Sequence, residues 1–372
     1  MHMSPASRTS TSPSSFATSS LLDALPSLSP AHRSRAQPSM GTPTPSSTYL
    51  DVASESSEAL AATAADHKIE PLVVVLSLND TVLVRSKRTT KGSANPIVRP
   101  FLATFLSYLV TSQSPAHSST VEVKVEGGST SGADTAKLDQ VRPIEVVVYS
   151  AARAHNVLTL LRAIRLVPNH AYDESYRPSP AAGDALSLVL CREMMNLSHD
   201  DYKDNVVTCK DLGKVWDAMD IEHDDGTRRT VLLEEDAQAA APQPHSHLPI
   251  PTFLVSSVSS TDQRRTVREL PSTAPLDTSL LSTIHLVELL RRESNVAAAL
   301  KGGLVRHAVD DARRAVRERE GKGERYEVSD KEVRDEMAQR GREVCARYGV
   351  EVRREWDDEW KAKVRHAASA SA

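Results

Sequence analysis

Leu72-Val73-Val74-Val75-Leu76, followed at once by Ser77-Leu78-Asn79-Asp80-Thr81-Val82, is the stretch on which the fold of this chain turns. An unbroken apolar, β-branched run suits a strand covered on both faces, as in a parallel sheet; a half-exposed strand would alternate. The polar residues directly after it stand where open α/β sheets gather ligand-binding groups, at the carboxyl ends of strands. Two more runs share this form. Ile144 to Tyr149 ends at Ser150, and Thr230 to Leu233 leads into Glu234-Glu235-Asp236. Leu186 to Leu190 and Val206-Val207 are shorter strand candidates. Between them lie helical patterns. After Arg99-Pro100, residues Phe101, Leu102, Phe105, Leu106 and Leu109 fall on one helix face, and a second helix is predicted over 156–166. Strands alternating with helices predict an α/β protein with a doubly wound, mainly parallel, Rossmann-like sheet.

The flanks read differently. Residues 1–50 are more than half Ser, Thr and Pro, with Asp23 as their one acid and Arg8, Arg33 and Arg35 as their arginines. Such a stretch buries too little apolar surface to offset its ordering entropy, so residues 1–66 are predicted to be a disordered tail. A Ser-rich, acid-poor start also matches a mitochondrial transit peptide in part. The body is predicted to span 67–300. Within it, residues 111–140 read as a Ser/Gly-rich insertion, in which Val121, Val123 and Val125 alternate with charges as in a half-exposed β-hairpin. Residues 301–372 are predicted to be a charged, solvated helical tail beginning after the Gly302-Gly303 break. Ser329-x-x-Glu332 is a capping box there, Gly349 a helix stop, and Trp356 and Trp360, one turn apart, the feature a partner-binding helix would use.

Composition removes several functions. The 45 basic and 49 acidic residues among 372 leave a net charge of −4, so there is no basic footprint for nucleic acid. No apolar run approaches the ~20 residues of a bilayer span, which argues against a transmembrane segment. Cys191, Cys209 and Cys345 lie far apart without a C-x-x-C pair. A disulfide scaffold or zinc ribbon is not indicated, and a reducing compartment, cytoplasmic or nuclear, fits best, with the mitochondrion as the alternative. His155, His245 and His247 show no metal-ligand spacing.

Five stretches carry a family likeness: Arg99-Pro100-Phe101-Leu102, Val148 to Val157, Asn205 to Trp216, Gln243-Pro244 with Ile250-Pro251, and Glu293 to Ala297. In these, and in their order, residues 70–300 resemble the haloacid-dehalogenase superfamily. The resemblance is to its branch of RNA polymerase C-terminal-domain phosphatases and NLI-interacting-factor-like domains, in particular to fungal members. It implies a D-x-D-x-T motif after the first strand, with an Asp nucleophile, an Asp general acid and base, and Mg²⁺ as cofactor. By position it puts the nucleophile at Ser77, the acid/base at Asn79 and the motif threonine at Thr81. The phosphate-binding pair becomes Ser150 and Lys210, and the metal-site acids become Glu234 and Glu235.

Here the chain departs from the family pattern. A serine hydroxyl needs an adjacent base to attack, and no motif-borne histidine accompanies Ser77. Asn79 carries no transferable proton. Losing carboxylates also weakens a site for a hard cation, so no cofactor is required and any Mg²⁺ site is weakened. Asp80 is one residue out of register, which directs it to the opposite face of the strand. The sequence therefore reads as a pseudophosphatase, a binding or scaffold module for a protein partner, phosphorylated ligands included. Two other readings stand beside it: an active Mg²⁺-dependent protein serine/threonine phosphatase, and an import component like the presequence receptor of the mitochondrial inner-membrane translocase.

Overall fold

The computed structural model describes residues 36–39, 41–60, 69–85, 95–113, 141–169, 177–178, 184–204, 206–255, 267–270, 276–321, 326–357 and 359–362. β1 (Leu72–Leu76) is buried throughout and is the middle of a five-stranded, all-parallel sheet. On one side lie β4 (Ile144–Tyr149) and β5 (Leu188–Leu190); on the other lie β6 (Thr230–Glu234) and β7 (His247–Pro249). Leu76 is level with both Val148 and Leu233, so the carboxyl ends of β1, β4 and β6 form one rim. The chain fills one side of β1 and then returns to the other, and such a reversal leaves a crevice at the rim.

The α/β architecture and the three long strands follow the apolar runs. Val206-Val207 does not join the sheet; Val206 bridges Ala36 instead. β7 had no sequence signal, because a three-residue edge strand ending in proline carries neither alternation nor an apolar run. A small antiparallel ribbon, β2 (Leu83–Arg85) with β3 (Pro96–Val98), follows the first rim loop. Residues 114–140, and with them the expected β insertion, lie outside the described residues.

Ten helices are described among these residues. In chain order they begin with α1 (Ser47–Val52), α2 (Leu102–Thr111), α3 (Ala154–Ala163), α4 (His199–Lys203), α5 (Gly213–Ala218) and α6 (His223–Arg229). After them come α7 (Ser279–Leu290), α8 (Val296–Lys301), α9 (Leu304–Arg319) and α10 (Asp330–Arg347). Asn295 caps α8 through the Ala298 N–H at 3.0 Å. Gly303, at φ +93°, makes the break before α9. The Ser329–Glu332 capping box is present in both halves at the start of α10. No helix among the described residues is long and apolar enough to cross a membrane.

Two expectations about the flanks change. Residues 36–60 are not a loose tail: Tyr49 and Ala53 share a core with Val73, Val75 and Trp216, and the Leu60 N–H donates to the Arg292 carbonyl at 2.8 Å. Tyr49, Val52 and Ala53 form a short helical apolar face that averaging over Ser, Thr and Pro conceals. Residues 1–35 lie outside the described residues. The second change is at the other end. α10 is not solvated; it packs along α7 and buries Val333, Met337, Ala338, Val344 and Cys345. Trp360 also faces inward, donating its indole N–H to the Ile164 carbonyl at 3.2 Å, which removes it from any partner surface.

Candidate functional site

The rim is built from backbone first. The Ser77 N–H donates to the Leu233 carbonyl at 3.1 Å, which holds Ser77 beside Glu234, the last residue of β6. The chain then turns: the Leu78 carbonyl accepts from the N–H groups of Val82 and Leu83, both at 3.1 Å. Asp80 occupies the left-handed region at φ +60°, which Asp tolerates better than most residues. Its backbone is tied to Leu83 and Phe253, so Asp80 belongs to the turn and does not take the position at the strand end.

Arg99 fastens this turn from behind. It is buried, donates to the Thr81 carbonyl at 2.7 Å, pairs with Asp277 at 2.7 Å and lies over the Phe253 ring. A clamped loop loses little entropy on meeting a ligand, which is how rigid sites are preorganised. Arg99 belongs to a stretch that carried the family resemblance, yet nothing in the sequence showed what it would hold.

Lys210 arrives from the segment before α5. Its N–H donates to the Ala239 carbonyl at 2.7 Å. Just past it, the Gln243 side chain accepts from the Leu212 N–H at 3.0 Å and donates to Asp211 at 2.9 Å. Leu212 and Trp216 then anchor the segment in the core. Gln243 is therefore a positioning residue for Lys210. It was visible only as half of a Gln-Pro pair.

The sequence-derived residues meet in two groups. The Lys210 ammonium donates to the Ser77 hydroxyl at 3.2 Å and forms an ion pair with the Glu234 carboxylate. All three residues are buried. The second Glu234 oxygen accepts from the N–H groups of Glu235, at 3.1 Å, and Asp236, at 3.4 Å. In the other group, the Thr81 hydroxyl donates to Glu235 at 2.5 Å. Ser150 does not join either group by hydrogen bond. Its hydroxyl accepts from the Ala152 N–H at 3.2 Å, a turn within its own loop.

This arrangement decides the chemistry. Lysine could serve Ser77 as a general base only when neutral. A carboxylate in contact holds the ammonium in its charged form, so Lys210 is a donor to Ser77 and not a proton acceptor from it. A divalent cation does not fit either. The strand end offers a hydroxyl and an amide where hard cations need carboxylates, and Glu234 already faces a cation and two N–H groups. No cluster of three or more His, Cys, Asp or Glu side chains suited to a metal occurs among the described residues.

Some polar capacity at the rim is unused. The Asn79 side-chain oxygen and the Tyr149 hydroxyl are buried without a hydrogen-bond partner among the described residues. Burial, with Asp211, Cys209 and Cys191 nearby, raises the Tyr149 pKa above its ordinary value, so the phenol stays protonated. His247 spans β7 to β6, its Nε2 within 2.9 Å of the Glu234 carbonyl, and burial beside Lys210 lowers its pKa to about 4. No family model and no curated protein matches the chain.

Proposed function

We propose that this chain is a pseudophosphatase: a doubly wound domain of the haloacid-dehalogenase kind that acts by binding a protein partner and not by hydrolysis. The observation that carries the reading is the buried Ser77–Lys210–Glu234 line at the carboxyl ends of β1 and β6. The family resemblance assigns these positions to nucleophile, phosphate-binding lysine and metal acid. Here a hydroxyl stands for the nucleophile, and the lysine's charge is already balanced within the protein. With neither an attacking carboxylate nor a general acid at Asn79, the rate lost is many orders of magnitude.

The same ion pair refines what the pocket binds. A phosphorylated ligand must compete with Glu234 for Lys210, so phosphate binding by the wild-type protein is weak, and removing the Glu234 charge strengthens it. Partner recognition then rests on surfaces outside the rim, with a cytoplasmic or nuclear setting as the working assignment. The test uses the full chain with an aryl phosphate, a phosphopeptide and inorganic phosphate. Wild type is expected to show no turnover with or without Mg²⁺, and Glu234→Gln to bind phosphate more tightly than wild type through Lys210. Mg²⁺-dependent turnover by wild type would overturn the reading in favour of an active phosphatase. Phosphate binding indifferent to both Glu234→Gln and Lys210→Ala would remove Lys210 as the anion site.

A further inference from the structure

We propose that Ser39 is a phosphorylation site for a protein serine kinase, and that a phosphoryl group on it unlatches residues 36–46 from the body. These residues form the outer end of the segment that crosses the protein before β1. They are held near Ser39 by one carboxylate. Asp201 accepts from the Ser39 hydroxyl at 2.5 Å, from the Ser39 N–H at 3.0 Å and from the Ser198 hydroxyl at 2.8 Å. The hydroxyl bonds of Ser39 and Ser198 hold the Asp201 carboxyl below its ordinary range, so it is ionised at neutral pH. Three residues upstream, the Ala36 carbonyl accepts from the Val207 N–H at 3.0 Å.

Ser39 itself is exposed, and residues 41–46 that follow it are neither helix nor strand and largely exposed. Ser39 stands in a short exposed turn, closed by the Gly41 N–H donating to the Pro38 carbonyl at 3.0 Å, and a surface turn of this size can open into a kinase cleft. In the reaction the Ser39 Oγ attacks the γ-phosphorus of ATP, the new O–P bond replaces the bond to the β-phosphate oxygen, and ADP leaves. The hydroxyl proton passes to the kinase's base. The modified oxygen no longer has a hydrogen to donate, and it carries a charge near −2 against an ionised carboxylate.

Among the described residues, the cations near this contact are Arg192 and, in the last turn of α4, Lys203. Arg192, the guanidinium beside Asp201, directs its donors at the backbone carbonyls of Ala151, Asp201, Tyr202 and Asp204. Asp200 and Asp204 add further negative charge on α4 and just after it. The hydroxyl thus switches from donor to repelled anion at the point where the segment is fastened. Val207, to which the latch is tied through Ala36, lies three residues before Lys210 in the chain.

Two measurements on the full chain test this. Incubation with serine/threonine kinases and ATP, followed by mapping, is expected to place phosphate on Ser39; no incorporation there would overturn the assignment. Phosphoserine installed at position 39 is then expected to raise hydrogen exchange over 36–46 and at Val207 by about tenfold or more while β1 is unchanged. The effect should largely vanish in Asp201→Asn, where the repelling charge is gone, and be smaller in Ser39→Ala, which keeps the N–H bond. Unchanged or slower exchange with phosphoserine would overturn the latch. None of these readouts depends on ligand binding at Lys210, so they stand or fall apart from the pseudophosphatase reading.

Discussion

Gly341 of α10 crosses α7 at Leu281 so closely that a Cβ built on it would stand 2.0 Å from the Leu281 carbonyl oxygen. The contacting atom is helix backbone, in the first turn of α7, and cannot swing aside as a side chain would. Gly341→Ala should therefore force the two helices apart and cost about 3 kcal/mol, at the upper end of overpacking effects, despite the gain in helix propensity. Urea denaturation reads this directly. A loss under about 1 kcal/mol would mean that α10 can lift away freely, as the solvated tail expected from its charge would.

That glycine also marks how far the sequence could be read. The strands β1, β4 and β6 were legible because a residue buried on both faces must be apolar, and the run declares itself. α10 was not, because its apolar positions are few and small. Ala338 and Gly341 contribute by allowing approach and not by hydrophobicity, so charge dominated the pattern. α1 was hidden in the same way, one aromatic turn inside a Ser/Thr/Pro-rich stretch. At the rim, the strand ends drew attention to Ser77, Ser150 and Glu234, and the family resemblance added Lys210 to the group. What the sequence could not supply was pairing. Whether Lys210 faces a ligand or Glu234 depends on a side-chain geometry that no spacing encodes, and the clamps at Arg99 and Gln243 act through backbone atoms.

Removing the ammonium from the rim should be costly. Lys210→Met leaves the Glu234 carboxylate buried without its counter-charge, a change worth about 3–5 kcal/mol. Lys210→Met combined with Glu234→Leu should recover much of the loss, since both charges then leave together. In the single variant burial raises the Glu234 pKa, so the deficit should shrink as pH falls and the carboxyl protonates. Additive losses in the double variant would show that the pair is not coupled.

Stability of the wild type should decline in mild acid through two histidines. Burial lowers His247 and His285 to about 4; His247 lies near Lys210, Asp236 and Glu235, and His285 near Arg340, Arg347, Glu288 and Glu336. In the unfolded chain both titrate near 6.5. Between those values the unfolded state binds more protons, so the stability they confer is full above about pH 6.5 and is lost as pH falls toward 4. Gln variants at 247 and 285 should flatten the fall in unfolding free energy between about pH 7 and pH 5. A slope identical to wild type in both would place the acid sensitivity elsewhere.

Tyr49 gives a sharp test of the segment before β1. Its ring packs in the core with Val73 and Val75, and its hydroxyl accepts from the His245 N–H at 2.8 Å. Tyr49→Ala should cost about 3 kcal/mol or more, the usual range for a buried aromatic. Tyr49→Phe keeps the ring and leaves the His245 N–H without its acceptor, which should cost about 1–3 kcal/mol. Thermal unfolding of the two variants separates packing from hydrogen bonding. Two midpoints equal to wild type would return residues 36–60 to the status of a dispensable tail.

The last prediction concerns the lack of a carboxylate at positions 77 and 79. If the hydroxyl of Ser77 and the amide of Asn79 are what make this rim unfit for a divalent cation, placing carboxylates at both positions should introduce cation binding whether or not it introduces catalysis. In Ser77→Asp with Asn79→Asp, two new carboxylates would stand beside Glu234 and Glu235, and Lys210 alone balances few of them. Crowded like charges destabilise the folded state until a divalent cation relieves them, so millimolar Mg²⁺ should raise the thermal midpoint of the double variant by several degrees, on the order of a kcal/mol or two of linked binding. Wild type should show no such shift, because Glu234 is already neutralised by Lys210. The comparison needs no assumption about turnover. A wild-type midpoint that rises with Mg²⁺ as much as the variant's would overturn the conclusion that these residues do not fit the cation. A double variant indifferent to Mg²⁺ would show that Lys210 and the clamped turn keep the rim closed to cations even with carboxylates at both positions.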